Sequence, residues 1–158
     1  LIEPLESRQE KKIPEFVVVI DTSDSTSGEL VESFLRETCA ILSQGSYFGK
    51  GCVVRLLQCD NQVRQETVIR SSEDVERLLS QFELCGGGGT DFRPAFSYVE
   101  QLRKEGEIKD LCGLIYFTDG KGTYPEKRPD YKTAFIFMDE NETDLPQWAI
   151  GYENWRLK

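Results

Sequence analysis

Phe16-Val17-Val18-Val19-Ile20 is apolar at every position and stops abruptly at Asp21. A strand with one face in water alternates apolar and polar side chains. A strand that is apolar throughout needs cover on both faces, which is the situation in the middle of a parallel sheet. Parallel neighbours cannot be joined by a tight hairpin; each needs a crossover, usually a helix. This one segment therefore asks the rest of the chain for helices and for further buried strands.

The rest of the chain supplies both. Between Gly28 and Leu42, Leu30, Val31, Phe34, Leu35, Ile41 and Leu42 recur at helical spacing, with Glu29, Glu32, Arg36 and Glu37 mostly opposite. Cys52 to Cys59 reads as a second strand, Asp60-Asn61 as a turn, and Val63 to Ile69 alternates as an edge or hairpin strand does. Ser72 is expected to cap a helix running through Leu78, Leu79 and Phe82. After Gly86-Gly87-Gly88-Gly89, Pro94 suits the first turn of a helix with Phe96, Val99 and Leu102 on one side. Leu111 to Phe117 and Ala134 to Met138 are further strands, with Gln147 to Ile150 a candidate for the last. Strands alternating with helices predict an α/β fold: a doubly wound, mainly parallel central sheet, Rossmann-like, with helices on both faces and one antiparallel edge strand. Residues 1–14 read as a charged linker and 15–158 as one domain. A chain of 158 residues suits one domain, which buries roughly 70% of its unfolded surface.

Composition narrows the partners. A formal net charge of −9 argues against nucleic acid and against anionic membrane, both of which need a basic face. No apolar run is long enough to span a bilayer. The N-terminal segment has no apolar signal core and no starting Met, so the chain reads as a fragment of a longer protein. Histidine is absent, which excludes a histidine-based metal site, catalytic triad or imidazole base. The five cysteines are odd in number and show no CxxC spacing, and four lie in or beside apolar runs. A reducing, cytoplasmic setting is the simpler inference.

In an open α/β sheet, ligands bind beyond the carboxyl ends of the strands, where the strand order reverses. Three polar clusters fall in such places: Asp21-Thr22-Ser23-Asp24-Ser25, Thr90-Asp91, and Asp119-Gly120. Their hydroxyl and carboxylate oxygens are hard ligands, suited to Mg²⁺, Mn²⁺ or Ca²⁺ and not to zinc or copper. Two carboxylates about 4 Å apart repel by roughly 4 kcal/mol at an effective dielectric of 20. A cation between them, or a proton on one of them, removes that cost. Ser23 and Ser25 also have a plainer use, as caps for the helix near Gly28. Asp91 reads as a structural cap or as an acceptor behind the ligands. The four glycines lack a following Gly-Lys-Ser/Thr, so they do not form a nucleotide P-loop.

Asp-x-Ser-x-Ser at Asp21, Ser23 and Ser25, followed by Thr90-Asp91 and Thr118-Asp119-Gly120, resembles the metal-ion-dependent adhesion site (MIDAS) of von Willebrand factor A-type (VWA) domains. Closer still is the resemblance to a bacterial VWA-like family of metallopeptidase-associated proteins. Gly86 to Pro94, Leu114 to Gly120 and Tyr124-Pro125-Glu126-Lys127 carry it, and the likeness runs from about Phe16 to Ile150. The resemblance implies that Asp21, Ser23, Ser25, Thr90 and Asp119 are the metal ligands, some through water. It also implies an upstream metallopeptidase-like domain and, often, a neighbouring AAA+ ATPase. Asp24 departs from the Gly common in that family and adds charge beside the ion.

The expected function is a protein-binding module whose Mg²⁺ (or Mn²⁺ or Ca²⁺) accepts an Asp or Glu from a partner, the domain itself being no enzyme. That partner could be another chain, an AAA+ ATPase or the protein's own upstream domain, in which case the domain is an intramolecular regulator. The rival is a metal-dependent phosphohydrolase. An aspartyl-phosphate enzyme usually carries a second carboxylate two residues after its nucleophile; Ser23 stands there instead. Lys121 is the one obvious basic residue beside a motif.

Overall fold

The computed structural model of the chain describes residues 14–23, 28–44, 51–81, 83, 86–119, 122–137, 146–148 and 150–152. In chain order the elements are β1 (Pro14–Asp21), α1 (Gly28–Gln44), β2 (Val53–Cys59), β3 (Val63–Ile69), α2 (Ser72–Gln81), α3 (Arg93–Lys104), β4 (Asp110–Thr118), β5 (Lys132–Phe137) and β6 (Ile150–Tyr152). The six strands form one sheet in the order β3-β2-β1-β4-β5-β6. Every neighbouring pair is parallel except β2 with the edge strand β3. The expected doubly wound sheet with one antiparallel edge is the fold observed.

The apolar run Phe16 to Ile20 lies in β1, between β2 and β4, and its side chains divide by parity. Val17 and Val19 join Ala95, Phe96, Val99 and Leu102 of α3 in one core layer. Val18 and Ile20 join Val31, Phe34 and Leu35 of α1 and Val75 and Leu78 of α2 in the other. The Phe34 ring stacks on Phe117 of β4 with centroids 3.9 Å apart. Full burial of each such side chain contributes roughly 1.5–3 kcal/mol, so both faces of β1 hold helices in place. A partly buried ion-pair chain ties the β1–β3 side of the sheet to α3. Arg55 donates from Nε to Glu15 (2.6 Å) and from Nη1 to Glu66 (2.5 Å), while the Tyr98 hydroxyl donates to Glu66 (2.6 Å).

Three local expectations change. The hydroxyl of Ser71, not Ser72, accepts the Asp74 N–H at 3.2 Å, and Asp74 in turn accepts the Arg70 N–H at 2.9 Å. Ser72 is already helical, so its own side chain cannot serve as the cap. The last strand begins at Ile150, and Gln147-Trp148 form a turn. Trp148 packs from that turn on Phe96 and Phe135, and its indole N–H donates to the Pro125 carbonyl at 3.3 Å. Pro14, placed in the linker by sequence, starts β1, where it opposes Asp110. The linker residues 1–13 and Met138 lie outside the described residues.

Candidate metal centre

The strand order places the site. The connection from β1 leads to β2 on one side, whereas β4 lies on the other side of β1. The sheet therefore has its switch point between the carboxyl ends of β1 and β4, where such folds bind ligands. Ile20 pairs with Phe117, which sets Asp21 beside Thr118 and just ahead of Asp119. On the other flank Asp21 pairs with Cys59, the last residue of β2.

Asp21 is fully buried and Asp119 is 3% exposed. Thr118 donates its hydroxyl to Asp21 Oδ2 at 2.5 Å. The Ser23 N–H donates to Asp21 Oδ1 at 2.9 Å, and the Ser23 side chain adds a further hydrogen bond to the same carboxylate. Burial pushes the Asp21 carboxyl above the usual carboxylate range; the bonds from Ser23 and Thr118 oppose that shift, and the charge of Asp119 adds to it. Two carboxylates thus stand close enough to feel each other in a place with little water.

The glycine segment brings the third loop to the same end of the sheet. The Gly87 N–H donates to the Thr22 carbonyl at 2.9 Å. Gly86 has φ +140° and a Cβ there would lie 2.4 Å from Thr22 Oγ1, so only glycine lets the two loops touch. At the far end of the segment, Thr90 packs against Gly122, where a Cβ would come within 2.7 Å of its methyl group. The Phe92 N–H donates to the Thr123 carbonyl at 3.0 Å. The segment that carries half-buried Thr90 is therefore held at Gly86 and Gly87 by the loop after β1, and at Thr90 and Phe92 by the loop after β4. Asp91 is spent elsewhere: its carboxylate accepts the Arg93 main-chain N–H at 3.0 Å and both guanidinium donors at 2.9 and 2.8 Å.

Of the five residues expected to ligate a metal, Asp21, Ser23 and Asp119 come together. Thr90 sits on the loop that docks on both of theirs. Ser25 lies outside the described residues, as do Asp24, Gly120 and Lys121. Among the described residues no three His, Cys, Asp or Glu side chains form a cluster suited to a metal. A cation here would have to draw on hydroxyl oxygens beside the two carboxylates. That donor set fits a hard divalent ion, which tolerates neutral oxygens and retains water. The Tyr116 hydroxyl, wholly buried and with no hydrogen-bond partner among the described residues, lies under the same loops. Its pKa is raised well above the usual phenol value by burial, then by Cys59 and Asp21.

Sequence reasoning missed Asp60, taking it for a turn residue. It follows β2 as Asp119 follows β4, and it is fully buried. Its carboxylate accepts the N–H groups of Gln62 (3.0 Å) and Gly88 (3.1 Å) and the Arg64 Nε–H (2.8 Å). The available signal was its place: an acid directly after an apolar strand, as at Asp21 and Asp119.

A doubly wound, mainly parallel sheet with one antiparallel edge strand is the architecture of VWA-like domains. The chain belongs to that family: residues 16–151 match the family described as VWA-like domain (DUF2201). An uncharacterized protein of Thermotoga maritima is 32% identical over 117 residues, which are 73% of this chain and 25% of that protein. The chain thus spans about a quarter of the length of that relative. Among solved structures, an aerotolerance-related membrane protein from Bacteroides fragilis, carrying multiple mutations to serine, shares the fold. It aligns with 78% of this chain and 66% of its own at a TM-score of 0.53 and 14% identity. Three N-terminal domains of the type V pili tip protein Mfa5 from Porphyromonas gingivalis align at 0.48 and 18% identity, over 74% of this chain and 22% of that one.

Proposed function

We propose that this VWA-like domain is a metal-ion-dependent protein-binding module. A divalent cation, Mg²⁺ before Mn²⁺ or Ca²⁺, is held by Asp21, Ser23, Ser25, Thr90 and Asp119, some of them through water. An Asp or Glu of a partner protein completes its shell. The observation that carries this reading is the burial of Asp21 beside Asp119 at the switch point, with Ser23 folded onto the Asp21 carboxylate. Two buried acids side by side disfavour the metal-free fold, and a cation offsets that cost. Because few of the ligands are charged, the ion stays electrophilic enough to attract one more carboxylate. The domain performs no catalysis in this reading, and it works in the cytoplasm. Its partner is an AAA+ ATPase or an upstream metallopeptidase-like portion of its own chain; neither nucleic acid nor membrane is bound.

Calorimetric titration with MgCl₂, MnCl₂ and CaCl₂ tests the ion site directly. One ion per chain is expected, with uptake lost in Asp21→Ala and weakened in Thr90→Ala. Affinity purification on the full-length protein tests the partner. Any protein retained in Mg²⁺ should elute in EDTA and should fail to bind the Asp21→Ala variant. Full retention in chelator would defeat the proposal.

A further inference from the structure

We infer that Asp60, outside the proposed ligand set, is the positioning residue of this site: it fixes Thr90 by holding the chain on either side of it. The inference rests on the metal-binding reading for its purpose, though not for its geometry. Gly86 to Gly89 is the most freely mobile kind of backbone, and ordering it costs more conformational entropy than ordering any other residues. The segment has no helix or strand of its own, so fixed contacts must place it. Asp60 supplies two of them. Its Oδ2 accepts the Gly88 N–H at 3.1 Å, and its main-chain carbonyl accepts the Asp91 N–H at 3.4 Å. Thr90 lies between these two tethered residues.

The anchor is itself rigid. The Asp60 side chain is completely buried, and its Oδ1 takes the Gln62 N–H and the Arg64 Nε–H. Arginine remains cationic at any ordinary pH, so this acceptor stays an anion. The fit at the glycine is close: a Cβ on Gly88 would stand 2.9 Å from Asp60 Oδ2. Position 88 thus needs glycine for contact with Asp60, apart from any demand of φ. Asparagine at position 60 keeps the shape but has one acceptor oxygen; turned toward its two donors, Gln62 and Arg64, it sets its amide N–H₂ against the Gly88 N–H and breaks that contact.

The test uses the full chain with Asp60→Asn, Gly88→Ala, the double variant, and Leu102→Ala as a control for general destabilisation far from the loops. Residues that orient metal ligands typically change affinity by about 10–100-fold when altered. Asp60→Asn and Gly88→Ala should each weaken Mg²⁺ binding by about that factor. The double variant should be no weaker than the worse single one, because both break one contact. Leu102→Ala should leave the Mg²⁺ affinity unchanged. In metal-free protein, Asp60→Asn should speed hydrogen exchange at the amides from Gly87 to Phe92 and leave β1 and β4 protected. Additive losses in the double variant, or unchanged exchange at Thr90 in Asp60→Asn, would overturn the inference. If the wild type takes up no Mg²⁺, the proposed function fails, and the exchange measurement alone then decides the role of Asp60.

Discussion

Asp21 shows how a site residue can work against the fold that carries it. Thr118 and Ser23 satisfy its oxygens, yet burial still holds its carboxyl above the ordinary range. A raised value means that the folded, metal-free chain keeps a proton that the unfolded chain has already released. Stability is therefore fully present below the unfolded carboxyl value and falls as pH climbs through the raised one. Asp21→Asn removes that loss, since an amide can still accept from Ser23 and donate to the Thr118 hydroxyl. In EDTA the variant should melt above the wild type at pH 7, by about 2–4 °C for each kcal/mol regained. The two should converge toward pH 4. A wild type that melts higher at pH 7 without metal would contradict the account. The same residue was legible in sequence because an acid closing an apolar strand is conspicuous. Asp60 was not, since Asp-Asn is ordinary turn chemistry and its partner Gly88 lies 28 positions away.

Elements were legible where one physical signal dominates. β1 needed cover on both faces, and the sheet gives it α1 on one side and α3 on the other. Failures came where two signals coincide. Ser71 and Ser72 are adjacent and chemically identical, so only the backbone decides which is the cap. Trp148 is apolar and partly buried against Phe96 and Phe135, which mimics a strand residue although it occupies a turn. Parity along β4 gives a sharp check on the layer assignment. Leu114 is 1% exposed in the α3 layer, whereas its neighbour Ile115 is 36% exposed on the α1 side. Leu114→Ala should cost about 2–5 kcal/mol, the range for a filled core position. Ile115→Ala should cost no more than about 1 kcal/mol, because much of its surface stays in water. Equal losses in urea denaturation would mean that the two faces of the sheet are assigned wrongly.

At the scale of the molecule, the convergence of the three loops depends on strand order, and no single segment encodes that. Nothing between Val63 and Asp110 says that β4 lies on the far side of β1. In sequence the convergence of the loops that carry Asp21, Thr90 and Asp119 was expected from the family resemblance and from the general switch-point rule. The order β3-β2-β1-β4-β5-β6 supplies the physical reason.

The whole molecule also sets the background for any cation effect. At a net charge of −9 the folded chain repels itself, and any salt relieves part of that repulsion. A rise in melting temperature with MgCl₂ is therefore ambiguous until NaCl of equal ionic strength is subtracted. What remains is site binding. An ion that binds only the folded state, present at about 100 times its Kd, stabilises by about 2.7 kcal/mol. For a domain of this size that corresponds to roughly 5–10 °C. Thr90→Ala removes a proposed ligand without changing net charge, so it should keep the NaCl response and lose most of the additional rise with MgCl₂. Asp21→Asn should lose it as well, although that variant starts from a higher metal-free melting temperature. Identical responses to the two salts in the wild type would mean that the buried acids at the switch point hold no cation, and the proposed binding function would lose its basis.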